Sequence, residues 1–499
     1  MKTKQDSPGN PVSLRGKVPS VDSFLRKEEI VKLMGVHPRS LVVKAVRETI
    51  DRLRASIRSE ASKGSPLPED AHLVSLVEAR VRELTIPGIR RVINATGIIL
   101  HTGMGRAVLP RRAVQALQSM EGFVNVQADI HSGRRSQRDY YVERQLMELT
   151  GAEAAFIVNN NAAATMLVLN TLAEGKEVIV SRGQLIEIGG SFRLPDVMEK
   201  SGAIMKEVGT TNRTHLRDYE KAINERTGCI FRAHHSNYRI EGFAHEPDIQ
   251  EMVQVGKQHG IPVVDDLGAG AFIDLSAFGF SAEPLVQRSL KAGADLVFFS
   301  GDKLVGGPQA GIIVGKKEYI KKIRANPLAR ALRVCKLTLV ALEATLYLHF
   351  DPDRLVRENP VYMLLARDLK SISTRATALQ KKLRSHAPTF TFAVADDVSY
   401  MGSGSLPMED IRTKVIVADT DHMNCDQLAR FLRERDFPIF SRIKDNRVLL
   451  DMRTVLDGEE KIILEAFKEL HQKLQESAAA LHALAGAVKD PIASGQMLE

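Results

Sequence analysis

Lys303 stands in SGDKLVGGPQAG (residues 300–311), a glycine-rich turn between two short apolar runs at 295–299 and 310–314. Both runs read as buried strands, and a charged amine held between them is costly unless something uses it. One use is nucleophilic: a lysine at the end of a strand can form a Schiff base with an aldehyde cofactor. Pyridoxal phosphate is such an aldehyde. Its ring nitrogen then needs a carboxylate and its phosphate needs backbone N–H groups at a helix start.

Both requirements have candidates upstream. IPVVDDLGAG (261–270) reads as a strand ending in two aspartates. Side chains alternate along a strand, so only one can face a ring. Asp266, at the carboxyl end where ligands gather in such sheets, is the choice. FIVNNNAAATM (156–166) reads as a strand, a cap and the opening of a helix. Asn160, Asn161 and Ala162 would bring amides and small side chains to the phosphate, and Ser300 adds a hydroxyl. Arg330 and Arg333 are spaced i, i+3 and would share a helix face able to clamp an anion, the alternative being a solvated surface. Arg106 follows a glycine in HTGMGRAVLP.

These residues need a sheet to hold them. Strands are expected at 155–158, 177–181, 204–208, 229–233 and 262–266 and on both sides of Lys303, with helices at 216–225 and 248–259. Strand and helix in alternation predict an α/β fold with a mostly parallel sheet covered on both faces. A long helical region follows at 337–383. Further strands at 414–418, 439–443 and 448–452, with helices at 425–434 and 458–475, predict an α+β cap. The expected divisions are a flexible lead (1–18), a small basic helical domain (19–90), a large cofactor-binding domain (91–350), a C-terminal α+β domain (351–476) and a tail (477–499). Within the helical domain a break is expected around 64–68.

The chain of 499 residues has a net charge of +8. Residues 1–91 hold 18 Lys and Arg against 11 Asp and Glu, an excess of seven. A basic segment attached to a balanced body suits a nucleic-acid contact through phosphates, although a solvated helical face would have the same composition. No apolar run approaches membrane-spanning length, no secretory signal opens the chain, and the three cysteines are scattered without metal spacing. Cytoplasmic residence with free thiols and no metal is the expectation.

PSVDSFLR, VINATGIILHTGMGRA, EVGTTNRTH, SNYRIEGF, SGDKLVGGPQAG and PLARALRVCKLTLVALEATL occur in this order, followed by VSYMGSGSLP and RVLLDMRTV. Together they resemble bacterial selenocysteine synthase, the L-seryl-tRNA(Sec) selenium transferase family, from about residue 19 to 470. The resemblance implies a fold-type-I pyridoxal-phosphate enzyme with the cofactor on Lys303 and Asp302 in the same catalytic motif. It also implies selenophosphate bound by Arg106, Arg330 and Arg333, seryl-tRNA(Sec) held by the N-terminal domain, and a homodecamer. Gly103 and Met104, Cys335, and HSGRRSQR at 131–138 depart from the family pattern. A lyase or aminotransferase for a free small amino acid is the other reading, and it leaves the basic segment without a use.

Overall fold

The computed structural model describes residues 18–58, 69–189, 192–235, 237–238, 240, 242–280, 283–407 and 409–487. The expected break at 64–68, nearly all of the expected lead and the end of the tail lie outside these residues. The chain divides into two compact units, Met1–Arg91 and Val92–Glu499.

In the first unit, helices Val21–Leu25, Glu28–Val36, Arg39–Arg58 and Asp70–Thr85 enclose their own apolar centre. Val42, Ala45, Val46, Ile50 and Leu53 form one stripe of the third helix and meet Leu73, Val74, Val77 and Val81 of the fourth. The three-and-four spacing puts apolar residues on one face and leaves Arg39, Lys44, Arg47 and Arg52 exposed on the other.

The second unit holds two large sheets. The first contains β2 (Ala154–Val158), β3 (Glu177–Ser181), β6 (Ile204–Val208), β7 (Thr227–Ala233), β8 (Val263–Gly268), β9 (Leu296–Ser300) and β10 (Gly311–Gly315). Their order is β2-β10-β9-β8-β7-β3-β6, and only β10 runs antiparallel to its neighbours. A small hairpin, β4 (Glu187–Ile188) and β5 (Phe192–Arg193), lies between β3 and β6 in the chain. Alternate residues fill opposite faces. Ile157, Ile179, Ile230, Val297 and Phe299 pack on one side, and Phe156, Val178, Phe231, Leu296 and Phe298 on the other. A sheet covered on both faces is why these strands read as continuous apolar runs.

The second sheet joins β1 (Ile93–Ala95) to β11 (Thr391–Ser399), β12 (Ile411–Asp419), β13 (Ile439–Lys444) and β14 (Arg447–Asp451) in the order β1-β13-β14-β12-β11. β1 and β11 were not expected. The expected long helical region is four α-helices, Lys336–Leu346, Pro352–Glu358, Pro360–Ala366 and Leu369–His386, with a 3-10 turn at Tyr347–Phe350. Two of the interruptions fall at Asp351-Pro352 and Asn359-Pro360, where an Asp or Asn caps a helix whose first residue is proline, and the third at Asp368, which caps the last of the four. The last helix, Glu460–Ala487, continues through the start of the segment expected to be a weakly ordered tail.

Phe467 sits in the core beneath this second sheet, edge-on to Phe390 at 5.3 Å and to Phe392 at 5.1 Å. Truncating such a ring leaves a cavity as well as losing burial. Phe467→Ala should lower unfolding stability by about 3–5 kcal/mol, read as a shift in the urea midpoint. A shift below about 1 kcal/mol would mean that the core around it relaxes freely.

Candidate active site

Lys303 follows β9 by three residues and lies in a tight turn, 6% exposed. Burial, and after it the Arg106 guanidinium, push its ammonium pKa down, while Asp266, Asp302 and Glu283 oppose the shift. An amine in this state gives up its proton more readily than a surface lysine.

Asp266 is at the carboxyl end of β8. Its carboxylate accepts from Asn161 Nδ2 at 2.7 Å, the Gly268 amide at 3.0 Å and Thr165 Oγ1 at 3.3 Å. Burial nevertheless raises its pKa to about 6, so desolvation outweighs those bonds and the attraction to Lys303. Asp265 points to the opposite face, bonded to Ser289 at 2.6 Å and Arg232 at 3.0 Å. Alternation along the strand thus divides the two aspartates between one structural network and one cavity.

Asn160 caps the helix Asn161–Ala173 by accepting from the Ala163 amide at 2.9 Å. The helix start packs tightly on β10. A Cβ on Gly311 would lie 2.1 Å from the Asn160 carbonyl oxygen, so a glycine is required there. Asn160, Asn161, Ala162, Ser300, Asp266 and Lys303 all line one cavity of about 450 Å³.

Arg106 and Asp302 line it too, joined by an Nη1–Oδ2 bond of 2.8 Å. Arg106 has a φ of +61°, unusual for a residue with a side chain. Its own amide donates to His101 O and the next amide, of Ala107, donates to Asp302 O. The first bond closes the local turn, and the second, with the Asp302 ion pair, holds this segment against the lysine turn. Arg330 and Arg333 are placed differently. The helix Pro327–Ala331 ends before Arg333, which instead forms a bridge with Val158. The expected shared helix face therefore does not exist, and both arginines are exposed and outside the cavity lining.

His234 is the titratable residue among the lining residues that sequence reasoning missed, which also include Thr102 and Gln309. It follows β7, and its amide donates to Asp266 O at 2.9 Å. Burial lowers its pKa to about 4, leaving a neutral ring at ordinary pH. The available signal was its position at the same sheet edge as Asp266, directly after a buried strand. His234 Nδ1, Asn161 Oδ1 and Asp302 Oδ1 are buried without a protein partner. A cavity that combines a weakened amine, a buried carboxylate, a capped helix start and these polar atoms fits pyridoxal phosphate.

The lysine after a central strand, the aspartate on its neighbour and the helix start across the sheet define the fold-type-I architecture of pyridoxal-phosphate transferases. D-Glucosaminate-6-phosphate ammonia-lyase shares this fold at a TM-score of 0.53 and 19% identity, over 79% of this chain and 99% of that one. The chain belongs to the L-seryl-tRNA selenium transferase family, whose model matches residues 92–456. The model of the selenocysteine synthase N terminus matches 15–54. The L-seryl-tRNA(Sec) selenium transferase of Geobacter sulfurreducens is 43% identical over 92% of this chain and 100% of its own length. That of Alkaliphilus metalliredigens is 45% identical over 90% of this chain and 97% of its own.

The raised pKa of Asp266 has a consequence for the cofactor-free protein. The unfolded carboxyl titrates near 3.8 and the folded one at about 6, so only the folded state holds the proton between those values. Stability therefore falls as pH rises through that window and stays lower above it. Asp266→Asn should be more stable than the parent at alkaline pH by on the order of 1–3 kcal/mol. The difference should vanish below the unfolded pKa. Urea unfolding across this range checks it, and equal stability at alkaline pH would contradict it.

Proposed function

We propose that this chain converts L-seryl-tRNA(Sec) to L-selenocysteinyl-tRNA(Sec), using pyridoxal phosphate held by Lys303 and selenium from selenophosphate. The carrying observation is the buried Lys303 amine sharing one cavity with Asp266 and the start of the helix Asn161–Ala173. Asp266 holds the ring nitrogen, and the Asn160–Ala162 segment and Ser300 hold the phosphate. When bound, the cofactor supplies an electron sink for charge developing at the seryl α-carbon.

Lys303 takes the α-proton of the seryl group, a role suited to an amine whose basicity burial has lowered. The β-hydroxyl departs as water with the proton that Lys303 returns, selenium adds at the same β-carbon as the α-carbon regains a proton, and a second water cleaves the donor's phosphorus–selenium bond to release phosphate. Asp302 orients Arg106, which meets the anionic donor inside the cavity. Arg330, on the helix Pro327–Ala331, and Arg333, beyond its end, contribute to donor binding from an exposed surface. Residues 19–90 grip the tRNA, residues 91–350 carry the cofactor, and residues 351–476 cap the large domain. Ten copies assemble in the cytoplasm. Among the described residues, no helix is long and apolar enough to cross a membrane.

Borohydride reduction of the yellow holoenzyme should fix the cofactor to the peptide containing Lys303, and Lys303→Ala should lose both the adduct and turnover. A label elsewhere, for example on Lys336, would overturn the assignment. Deleting residues 1–91 should leave that labelling intact while lowering seryl-tRNA(Sec) affinity. Full-length binding should weaken with salt, with a log–log slope of several released ions. Unchanged tRNA affinity after deletion would move recognition into the second unit.

A further inference from the structure

The turn that carries Lys303 can be accounted for carbonyl by carbonyl from residue 301 to 306. The first three bonds come from backbone amides: Gly307 to Gly301 O at 2.9 Å, Ala107 to Asp302 O at 3.3 Å and Gly306 to Lys303 O at 3.0 Å. The next three carbonyls are held by side chains. Tyr362 Oη donates to Leu304 O at 2.7 Å, and His349 Nε2 to Val305 O at 2.9 Å. Asn359 Nδ2 reaches Val305 O at 3.4 Å and Gly306 O at 3.3 Å.

These three side chains are buried, on a stretch of helix and turn that supplies nothing to the cavity lining. Their donor states are fixed. Asn359 Oδ1 accepts from the Val361 amide at 3.1 Å, so its NH2 must face the turn. The His349 nitrogen facing a carbonyl oxygen must carry the proton. The ring sits edge-on to Phe272 at 5.1 Å and to Tyr362 at 5.9 Å. Gly306, with a φ of +68°, lies so close that a Cβ there would stand 2.4 Å from Asn359 Nδ2.

A buried packing role would need only apolar side chains of the same shape. Three polar groups converging on consecutive carbonyls of one turn instead fix where the Lys303 backbone sits. We propose that His349, Asn359 and Tyr362 are positioning residues that hold the Lys303 turn from beneath and so aim its amine into the cavity. The proposal rests on the reading of Lys303 as the cofactor lysine. Misplacing a reacting group by about 1 Å can cost on the order of a hundredfold in rate, so loss of one donor should be visible in the chemistry of Lys303 itself.

The experiment uses the full chain, Tyr362→Phe, His349→Leu and His349→Gln, the last keeping an N–H donor at a similar reach on a flexible stem. Hydrogen exchange is followed in cofactor-free protein. The rate of borohydride-trappable labelling by added pyridoxal phosphate is measured separately. In Tyr362→Phe and His349→Leu, exchange in the peptide spanning 301–307 should rise about tenfold with β3 and β7 peptides unchanged, and labelling of Lys303 should slow about tenfold. His349→Gln should recover much of both. Uniformly faster exchange across all strands, with Lys303 labelled at the parental rate, would reduce the trio to ordinary stabilising contacts. Should Tyr362→Phe not fold, the contrast between His349→Leu and His349→Gln decides, and no contrast refutes the proposal. Labelling of the parent at a lysine other than Lys303 would overturn the cofactor reading itself, a result separable from the first.

Discussion

Taking an amine and a carboxylate out of water at one sheet edge is the constraint around which the second unit is arranged. Neither Lys303 nor Asp266 recovers its full hydration cost from the other, since burial weakens the charged form of both. The surroundings therefore supply fixed dipoles instead: the Asn161 amide, the Gly268 N–H and a strand end on each side. Such preorganised groups need no rearrangement when charge moves during a reaction. The same burial that makes the residues expensive makes them chemically useful.

Much of the central sheet was legible because strands buried on both faces leave long apolar runs. β2, β3, β9 and β10 are buried at every position, and each lies within a residue or two of its expected place. β11 was hidden for the opposite reason. It is an edge strand carrying Asp396 and Asp397, with Asp396 paired to Lys414 on β12, so its polarity resembles a loop. β1 has only three residues and owes its conformation to a partner far along the chain. Two of the helix interruptions were readable in principle, as Asp351-Pro352 and Asn359-Pro360 each combine a capping residue with a proline.

At the site, strand alternation was enough to separate Asp266 from Asp265, because the pleat leaves no other choice. Periodicity failed for Arg330 and Arg333, where the helix stops at Ala331 and the spacing loses its meaning. His234 carried no motif. Its importance comes from the neighbouring strand, a relation that exists only once the sheet is assembled. The polar groups under the lysine turn were equally silent in that role, since Asn359 reads only as a helix cap and His349 and Tyr362 look like parts of ordinary amphipathic helices.

The pairing of β1 with β13 ties Ile93 to Ile439. During synthesis, a strand made early must wait for its neighbour, on the order of tens of seconds at ordinary elongation rates. Through that interval Ile93 and Ala95, fully covered in the finished protein, have no sheet to enter. The large sheet, whose strands are complete by Gly315, has no such dependence on the end of the chain. Closing the second sheet is therefore a late event that joins both ends of the unit, and a nascent chain stalled before β13 would display an unpaired apolar strand. Such a strand is the kind of surface that chaperones bind and that pairs with the wrong partner.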